Sequence, residues 1–509
     1  MTCLMGPVLS FRGCGEFGNE WHLSALVVTD GDPGQLSLED ASGRSTVGPD
    51  LLWSVQGKHV YRYRFQSTLG DTPSSLTYEI LGQSYEVALP AVGQAPRMAY
   101  GSCNGFSSPK AMKGIDLKNR LWSLMAEKHN TEPYQLLLLG GDQVYADSMW
   151  ETVPSIRDWN ELSFAEGNAA EFTAEMGTEL EGFYFDLYTR RWAQPEIAHM
   201  LARVPSLLMW DDHDLIDGWG SYLPERQNCP VFAGLWPIAQ KVFAVFQQQL
   251  APHEIRQGAI APDQGFTFGH IIGNTAILAL DMRSERTIDR VLSREHWDAV
   301  YAWIDGLTEL DHLIVMSSIP VVYPGFDTLE RFLGAVPGQQ DIEDDLRDHW
   351  NSRPHKGERI RLIHRLLAFA EKRQIRPTIV SGDVHVAALG LIESSRSEQG
   401  SNATVINQLI SSGIVHPGPN AAVLFALRHI FDSDDEIDRG IVARMIEFPG
   451  TTDKFIGGRN FLSLEPDPEA TGARIWANWI VEGEQYPFTK VIHPLRPKAF
   501  HLSTGSGTS

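Results

Sequence analysis

The sequence predicts a layered α/β domain preceded by a small antiparallel β-sandwich. From Arg97 onward, short apolar runs alternate with longer stretches of helical period, as helices packed on sheets require. Residues 1 to about 95 have another texture, with short alternating segments separated by Gly, Pro, Asp and Ser turns. The apolar runs of the second part also end, one after another, in Asp, His, Cys or Tyr. In open α/β sheets ligands collect at the carboxyl ends of strands, so these ends mark a site.

In chain order, segments 21–28, 52–55, 60–65, 76–80 and 85–89 predict the sandwich strands, and none of them looks catalytic. A Gly and Pro linker at 90–96 divides a domain at 1–95 from a second at 96–509. Strand-like run 98–101 leads to Ser102 and Cys103, and 136–139 leads through two glycines to Asp142 and Tyr145. Run 205–210 leads to Asp211, Asp212, His213 and Asp214, and 377–381 leads to Gly382, Asp383 and His385. Two more runs, 276–280 before Asp281 and Arg283 and 313–316 before Ser317 and Ser318, read as strands of the same sheet. The central run is four Leu; it is too short for a helix, and Gly-Gly-Asp is turn chemistry.

Helices are predicted at 113–128, 182–202, 294–307 and 358–372. In the last, Ile360, Leu362, Ile363, Leu366, Leu367 and Phe369 form a stripe that packs on a sheet. The acidic, aromatic stretch 150–182 and the polar stretch 334–355 follow strand ends and predict a lid or rim. The small polar tail 501–509 predicts disorder.

The chain has 509 residues, 43% of them hydrophobic, enough for a large core and two or three domains. A net charge of -22, from 64 acidic and 42 basic residues, argues against a nucleic-acid surface, since phosphate backbones are bound by clustered Lys and Arg. Four scattered cysteines, Cys3, Cys14, Cys103 and Cys229, without a CxxC pair, exclude a disulfide framework and fit a reducing compartment. No stretch approaches the roughly 20 apolar residues of a membrane span, and residues 5–11 are too short and interrupted for a secretory signal. A cytoplasmic protein is expected, or a secreted one if the start site is misassigned. Oligomeric state is not legible.

Asp, His, Cys and Tyr converging from several strand ends can bind two cations with one carboxylate bridging. Phenolate and thiolate suit a trivalent metal, imidazole iron or zinc, carboxylates calcium or magnesium. Two metals roughly 3.5–4 Å apart polarise a phosphoryl oxygen and generate hydroxide from bound water near neutral pH, so phosphate-ester hydrolysis is the expected reaction. Each residue also has a plainer reading. Cys103 can be a small buried hydrophobe, Tyr145 a packed aromatic, and the Asp211 to Asp214 cluster a solvated helix start. Arg283 and Arg286 are placed to hold a substrate phosphate by bidentate contact or to make an ordinary ion pair. His416 is a late ligand or a loop histidine; His199, His253, His270, His312 and His364 read as structural or exposed.

GDQVY at 141–145, WDDHD at 210–214 and SGDVH at 381–385, with Ser102 and Cys103, resemble the alkaline phosphatase D (PhoD-type) branch of the calcineurin-like metallophosphoesterases over about residues 97–420. The sandwich in front fits that family's layout. The resemblance implies Fe3+ held by Cys103, Asp142, Tyr145 and His385, with Asp142 bridging to Ca2+ that Asp211 and Asp383 also bind. It implies that His213 contacts the phosphate or protonates the leaving oxygen, with Asp212 or Asp214 orienting it or holding a further calcium. Two departures stand out. Asp211 occupies a position that is often Asn in the family, which changes the charge at the second metal. A twin-arginine leader is not seen, Arg190 and Arg191 lying mid-chain. The expected activity is hydrolysis of a small phosphate mono- or diester; the alternative is a binding or scaffold protein that retains the fold without turnover.

Overall fold

In the computed structural model the described residues are 1–323, 350, 355–396, 405–429, 434–467 and 473–495. The region expected as a rim at 334–355 falls almost wholly outside them, as does the tail 501–509.

Among the described residues the strands form three sheets. Residues 1–95 contribute β1 (Cys3–Gly13), β2 (Glu20–Thr29), β3 (Leu36–Asp40), β4 (Gly43–Val47), β5 (Asp50–Val55), β6 (Lys58–Thr68), β7 (Ser74–Ile80) and β8 (Gln83–Leu89). β4, β3, β7 and β8 make a four-stranded antiparallel sheet. It shares a core with β1, β2 and β6, where Leu9, Phe11, Trp21, Leu23, Tyr63, Phe65, Leu76 and Tyr78 are buried together. The sandwich texture read from the alternation is therefore present, but its inner sheet does not stop at the linker. β1 pairs in parallel with Ser206–Met209 (β11), so β1, β2, β6 and β5 extend the sheet that carries the strand ends of interest. Two of three consecutive glutamines after helix Pro230–Phe246 secure this junction. Gln248 donates to the Leu208 carbonyl and Gln249 to the Val8 carbonyl, at 2.7 and 2.8 Å. Satisfying both buried carbonyls fixes the N-terminal strands to the rest.

Beyond the linker run β9 (Met98–Gly101), β10 (Leu136–Gly140) and β11, parallel neighbours in the ten-stranded sheet. Strands Asn460–Pro466, Ile475–Val481 and Phe488–Ile492 complete it beyond β9. The second sheet holds β12 (Phe268–Ile272), β13 (Thr275–Ala279), β14 (His312–Met316), β15 (Arg376–Ser381), β16 (Ala387–Ser394) and β17 (Val405–Ser411), with β13, β14, β15 and β17 parallel. The sheets face each other. Leu136, Leu138, Leu207 and Met209 pack with Ile277, Ile314, Met316, Val380 and Leu409. The alternate residues Leu137, Leu139 and Leu208 pack outward on helices such as Arg120–Thr131 and Pro195–Leu201. On the far side, Leu278, Leu313, Val315 and Ile379 pack on Arg294–Gly306 and Lys356–Arg373. Strands buried on both faces carry continuous apolar runs, which explains the Leu run of β10. The architecture is helices, sheet, sheet, helices, a layered α/β arrangement.

The predicted helices at 294–307 and 358–372 match Arg294–Gly306 and Lys356–Arg373. The others shift. Residues 113–128 form a helix only over Arg120–Thr131, and 182–202 divides into Ala174–Trp192 and Pro195–Leu201, because Pro195 can begin a helix but not continue one. The stretch 150–182 is mostly helical. The long helix Pro230–Phe246 was not expected; it carries Pro237 and apolar residues on several faces, which blurs its period.

Candidate metal and phosphate site

The carboxyl ends of β9, β10 and β11 meet those of β14, β15 and β17. Cys103 and His416 are linked through the backbone at 3.1 Å, Asn104 and Asp142 at 2.8 Å, and Gly382 and Ser318 at 3.1 Å. Two glycines permit this approach. A Cβ on Gly382 would fall 2.1 Å from the Ser102 hydroxyl, and one on Gly141, at φ +97°, would fall 2.8 Å from the Asp211 Cβ. Cys103, Asp142, Asp383 and His385 all have left-handed φ, at 52°, 51°, 69° and 54°. Non-glycine residues rarely hold this conformation outside functional sites.

Cys103 lies wholly buried at the centre, its sulfur 3.5 Å from Asp142 Oδ2 and 3.1 Å from the Ser412 hydroxyl. Burial and then the Asp142 charge push its thiol well above the ordinary range. Burial does the same to Asp142, with the charges of Asp211, Asp212 and Asp214 adding and His213 opposing. Tyr145 is also raised by burial, with Cys103 and Asp142 adding. Asp142 Oδ1 and the Tyr145 hydroxyl are buried without a hydrogen-bond partner. Each such orphan costs roughly 1–3 kcal/mol. A thiol, a phenol and a carboxylate, all disfavoured as anions, with the phenol and one carboxylate oxygen lacking partners, form a donor set that a cation would satisfy. The residues present therefore fit a metal.

Ligand-type atoms gather in two further groups, Asp142 with Asp212 and His213, and Asp211 with Asp212 and Asp383, each within 4.8 Å of one another. Among these, the residue common to both is Asp212. His385 is in neither group; its ring stacks on His416 at 3.7 Å and its amide donates to the Ser412 hydroxyl at 3.0 Å. Both nitrogens of His416 are engaged, one with the Ser107 hydroxyl at 3.1 Å and one with the Pro417 carbonyl at 2.9 Å, and burial holds its pKa down to about 4. It is a packed neutral histidine stacked between His385 and Tyr145.

One sequence expectation is corrected. His213 takes its carboxylate partner from Asp147, at 2.6 Å from Nδ1, and not from Asp212 or Asp214. The short turn Asp212–Asp214 sends those side chains elsewhere. Asp212 accepts from the Gly218 amide at 2.9 Å. Asp214 accepts from the amides of Gln143, Val144 and Asp211 at 3.0, 3.2 and 2.9 Å and from Gln247 at 2.9 Å, tying two strand-end loops together. Burial would lower His213, but Asp147 first and then Asp212 and Asp142 hold it well above its ordinary value. Arg283, read from the sequence either as a substrate-phosphate contact or as an ion-pair residue, is 0% exposed; it donates through Nε to Asp211 and lies 3.3 Å from Asp212. The ion-pair alternative describes it. Asp147 sits at the end of the very stretch that marked the site, but a second Asp after a turn carries no signal of its own. Ser412, an ordinary strand-end serine, had none either.

This fold and cluster define a metallophosphoesterase-like protein. A family profile described as "PhoD related phosphatase" matches residues 94–340 and 333–432. The chain belongs to that family. An uncharacterized protein of Saccharomyces cerevisiae, YGR266W, is 27% identical over 466 residues, covering 74% of this chain. The chain spans 66% of that relative's length. The solved structure of PhoD matches with a TM-score of 0.57 at 13% identity, over 96% of this chain and 88% of that one, a likeness of fold. A dimetal phosphatase from Danio rerio matches at a TM-score of 0.36 and 8% identity, over 79% of this chain and 100% of that one, too low to carry an argument. No helix among the described residues is long and apolar enough to cross a membrane.

Proposed function

We propose that the chain is a metal-dependent phosphohydrolase that cleaves small phosphate mono- or diesters at this cluster. The observation that carries the reading is the buried, partnerless pair of Asp142 Oδ1 and the Tyr145 hydroxyl beside the Cys103 thiol. In this reading Cys103, Asp142, Tyr145 and His385 would hold Fe3+, and Asp211, Asp212 and Asp383 would hold Ca2+. Such ions supply Lewis-acid polarisation of the phosphoryl group and an activated water near neutral pH. The chain's own residues do the rest. His213, whose Nδ1 is held by Asp147, would present Nε2 to the phosphate and give a proton to the leaving oxygen. Asp214 and the serines hold the loops so that these groups keep their places.

The test is elemental analysis of the purified protein together with hydrolysis of aryl phosphate mono- and diesters, comparing wild type with Asp142→Asn and Cys103→Ala. Copurifying iron and calcium, a visible tyrosinate-to-iron absorption and loss of turnover in both variants are expected. A folded protein that carries no metal and refuses added metal refutes the reading, and leaves a binding protein on a phosphatase fold.

A further inference from the structure

We propose that Arg283 is a resident cation at the second metal position, where its guanidinium competes with a divalent ion and sets that position's affinity. The inference rests on the metal-dependent reading above and specifies one half of the site.

Three carboxylates, Asp211, Asp212 and Asp383, gather there. Two of them already carry Arg283. Its Nε donates to Asp211 Oδ1, its Nη2 lies 3.3 Å from Asp212 Oδ1, and its Nη1 donates to the Trp219 carbonyl at 3.2 Å. Asp211 Oδ1 also accepts from the Ser318 hydroxyl at 2.9 Å. That oxygen is thus engaged twice, and the Asp211 side chain also accepts from the Asp214 amide. The guanidinium is not a swinging arm. Its own backbone amide donates to Asp281 Oδ1 at 3.0 Å, the same oxygen that accepts from Trp210 Nε1 at 2.8 Å. The side chain is 0% exposed, in a strand-end turn fixed between the two sheets.

A permanent positive charge hydrogen-bonded to one of the three carboxylates and ion-paired with a second at 3.3 Å has two consequences. It neutralises part of the charge that a calcium ion would use, weakening the second site relative to the first. It also keeps Asp211 and Asp212 compensated when no ion is bound, so the site stays assembled while the second cation comes and goes. Arg283 in this role is a positioning residue, and it regulates metal occupancy instead of touching the ester.

The experiment compares wild type with Arg283→Met and Arg283→Gln. It measures calcium binding by isothermal titration to iron-loaded protein, and the thermal midpoint with and without calcium. The variants are expected to bind calcium about tenfold or more tightly, as removal of one nearby charge implies. They should be less stable than wild type without calcium and gain more from calcium than wild type does. A purely structural role would lower the midpoint without raising calcium affinity. Equal or weaker calcium binding in the variants, or variants that fail to fold even with calcium present, overturns the inference. If iron binds and produces its tyrosinate absorption while calcium affinity is unchanged, the inference fails and the metal-dependent reading stands; if neither wild type nor variants take up any metal, that reading fails first.

Discussion

Replacing Asp147 with Asn removes the charge that holds His213 without removing a group of that shape. The pair is close, 2.6 Å, and nearly dry, with side-chain exposures of 9% for His213 and 11% for Asp147. Solvent screening is therefore weak, and a charge-assisted hydrogen bond of this kind is worth about 1.5–3 kcal/mol. If His213 gives a proton to the leaving oxygen, that energy acts on the transition state, and kcat falls about 10- to 150-fold. The pH profile supplies an independent readout. Asp147 is the main influence raising His213, against a burial effect that lowers it. With Asp147 neutral, burial weighs more and the pKa falls. An acid is active only while protonated, so the alkaline limb of kcat/KM moves to lower pH in the variant. Steady-state kinetics on an aryl phosphate between neutral and alkaline pH measure both effects. The double variant with His213→Gln should be no slower than His213→Gln alone, because the two residues act as one unit. An Asp147→Asn protein with unchanged kcat and an unmoved alkaline limb would refute the assignment of His213 as the proton donor.

The fold supports two further expectations. Gly141→Ala places a Cβ 2.8 Å from the Asp211 Cβ in a backbone at φ +97°, so the β10 turn must move away from β11. A loss of about 1–3 kcal/mol is expected from strain of this kind, read as a lower thermal midpoint together with loss of copurifying metal; an unchanged midpoint and metal content would show that the turn tolerates the shift. Removing residues 1–95 strips β1 from the edge of β11 and uncovers Leu9, Phe11 and Leu23 partners in the shared core. The remaining chain is expected to aggregate. A soluble, cooperatively unfolding 96–509 fragment would instead establish the N-terminal part as a separable domain.

The strand ends were legible because each carries two signals at once, an apolar run and a change to turn and ligand chemistry. Leu136–Gly140 followed by Asp142 and Tyr145 is one case, and Arg376–Ser381 followed by Asp383 and His385 is another. Pairing partners were not legible. Nothing in the alternation of residues 3–13 says that β1 runs beside Ser206, since the contact depends on buried glutamines more than two hundred positions away. The strands Asn460–Pro466 and Ile475–Val481 were missed because they lie beyond the motif-bearing stretch and end in no ligand. Within the site, residue types that coordinate could be picked out by chemistry, but those that orient could not. An aspartate bound to His213 and an aspartate capping two loops look alike in sequence; only the backbone turn Asp212–Asp214 separates Asp147 from Asp214 in role.

The same turns explain why the cluster needs so large a body around it. Four left-handed non-glycine residues at Cys103, Asp142, Asp383 and His385 each cost about 1–3 kcal/mol, and the orphaned Asp142 and Tyr145 oxygens add to that. None of these terms is local; they persist because the cross-links from Asn104 to Asp142, from Cys103 to His416 and from Gly382 to Ser318 join strand ends whose apolar stems are locked in two facing sheets. Relaxing one turn would break contacts in its neighbour across the sheet gap. The strain is thus held by the packing of the whole interior, and a cation that satisfied the orphaned oxygens would return part of it as binding energy.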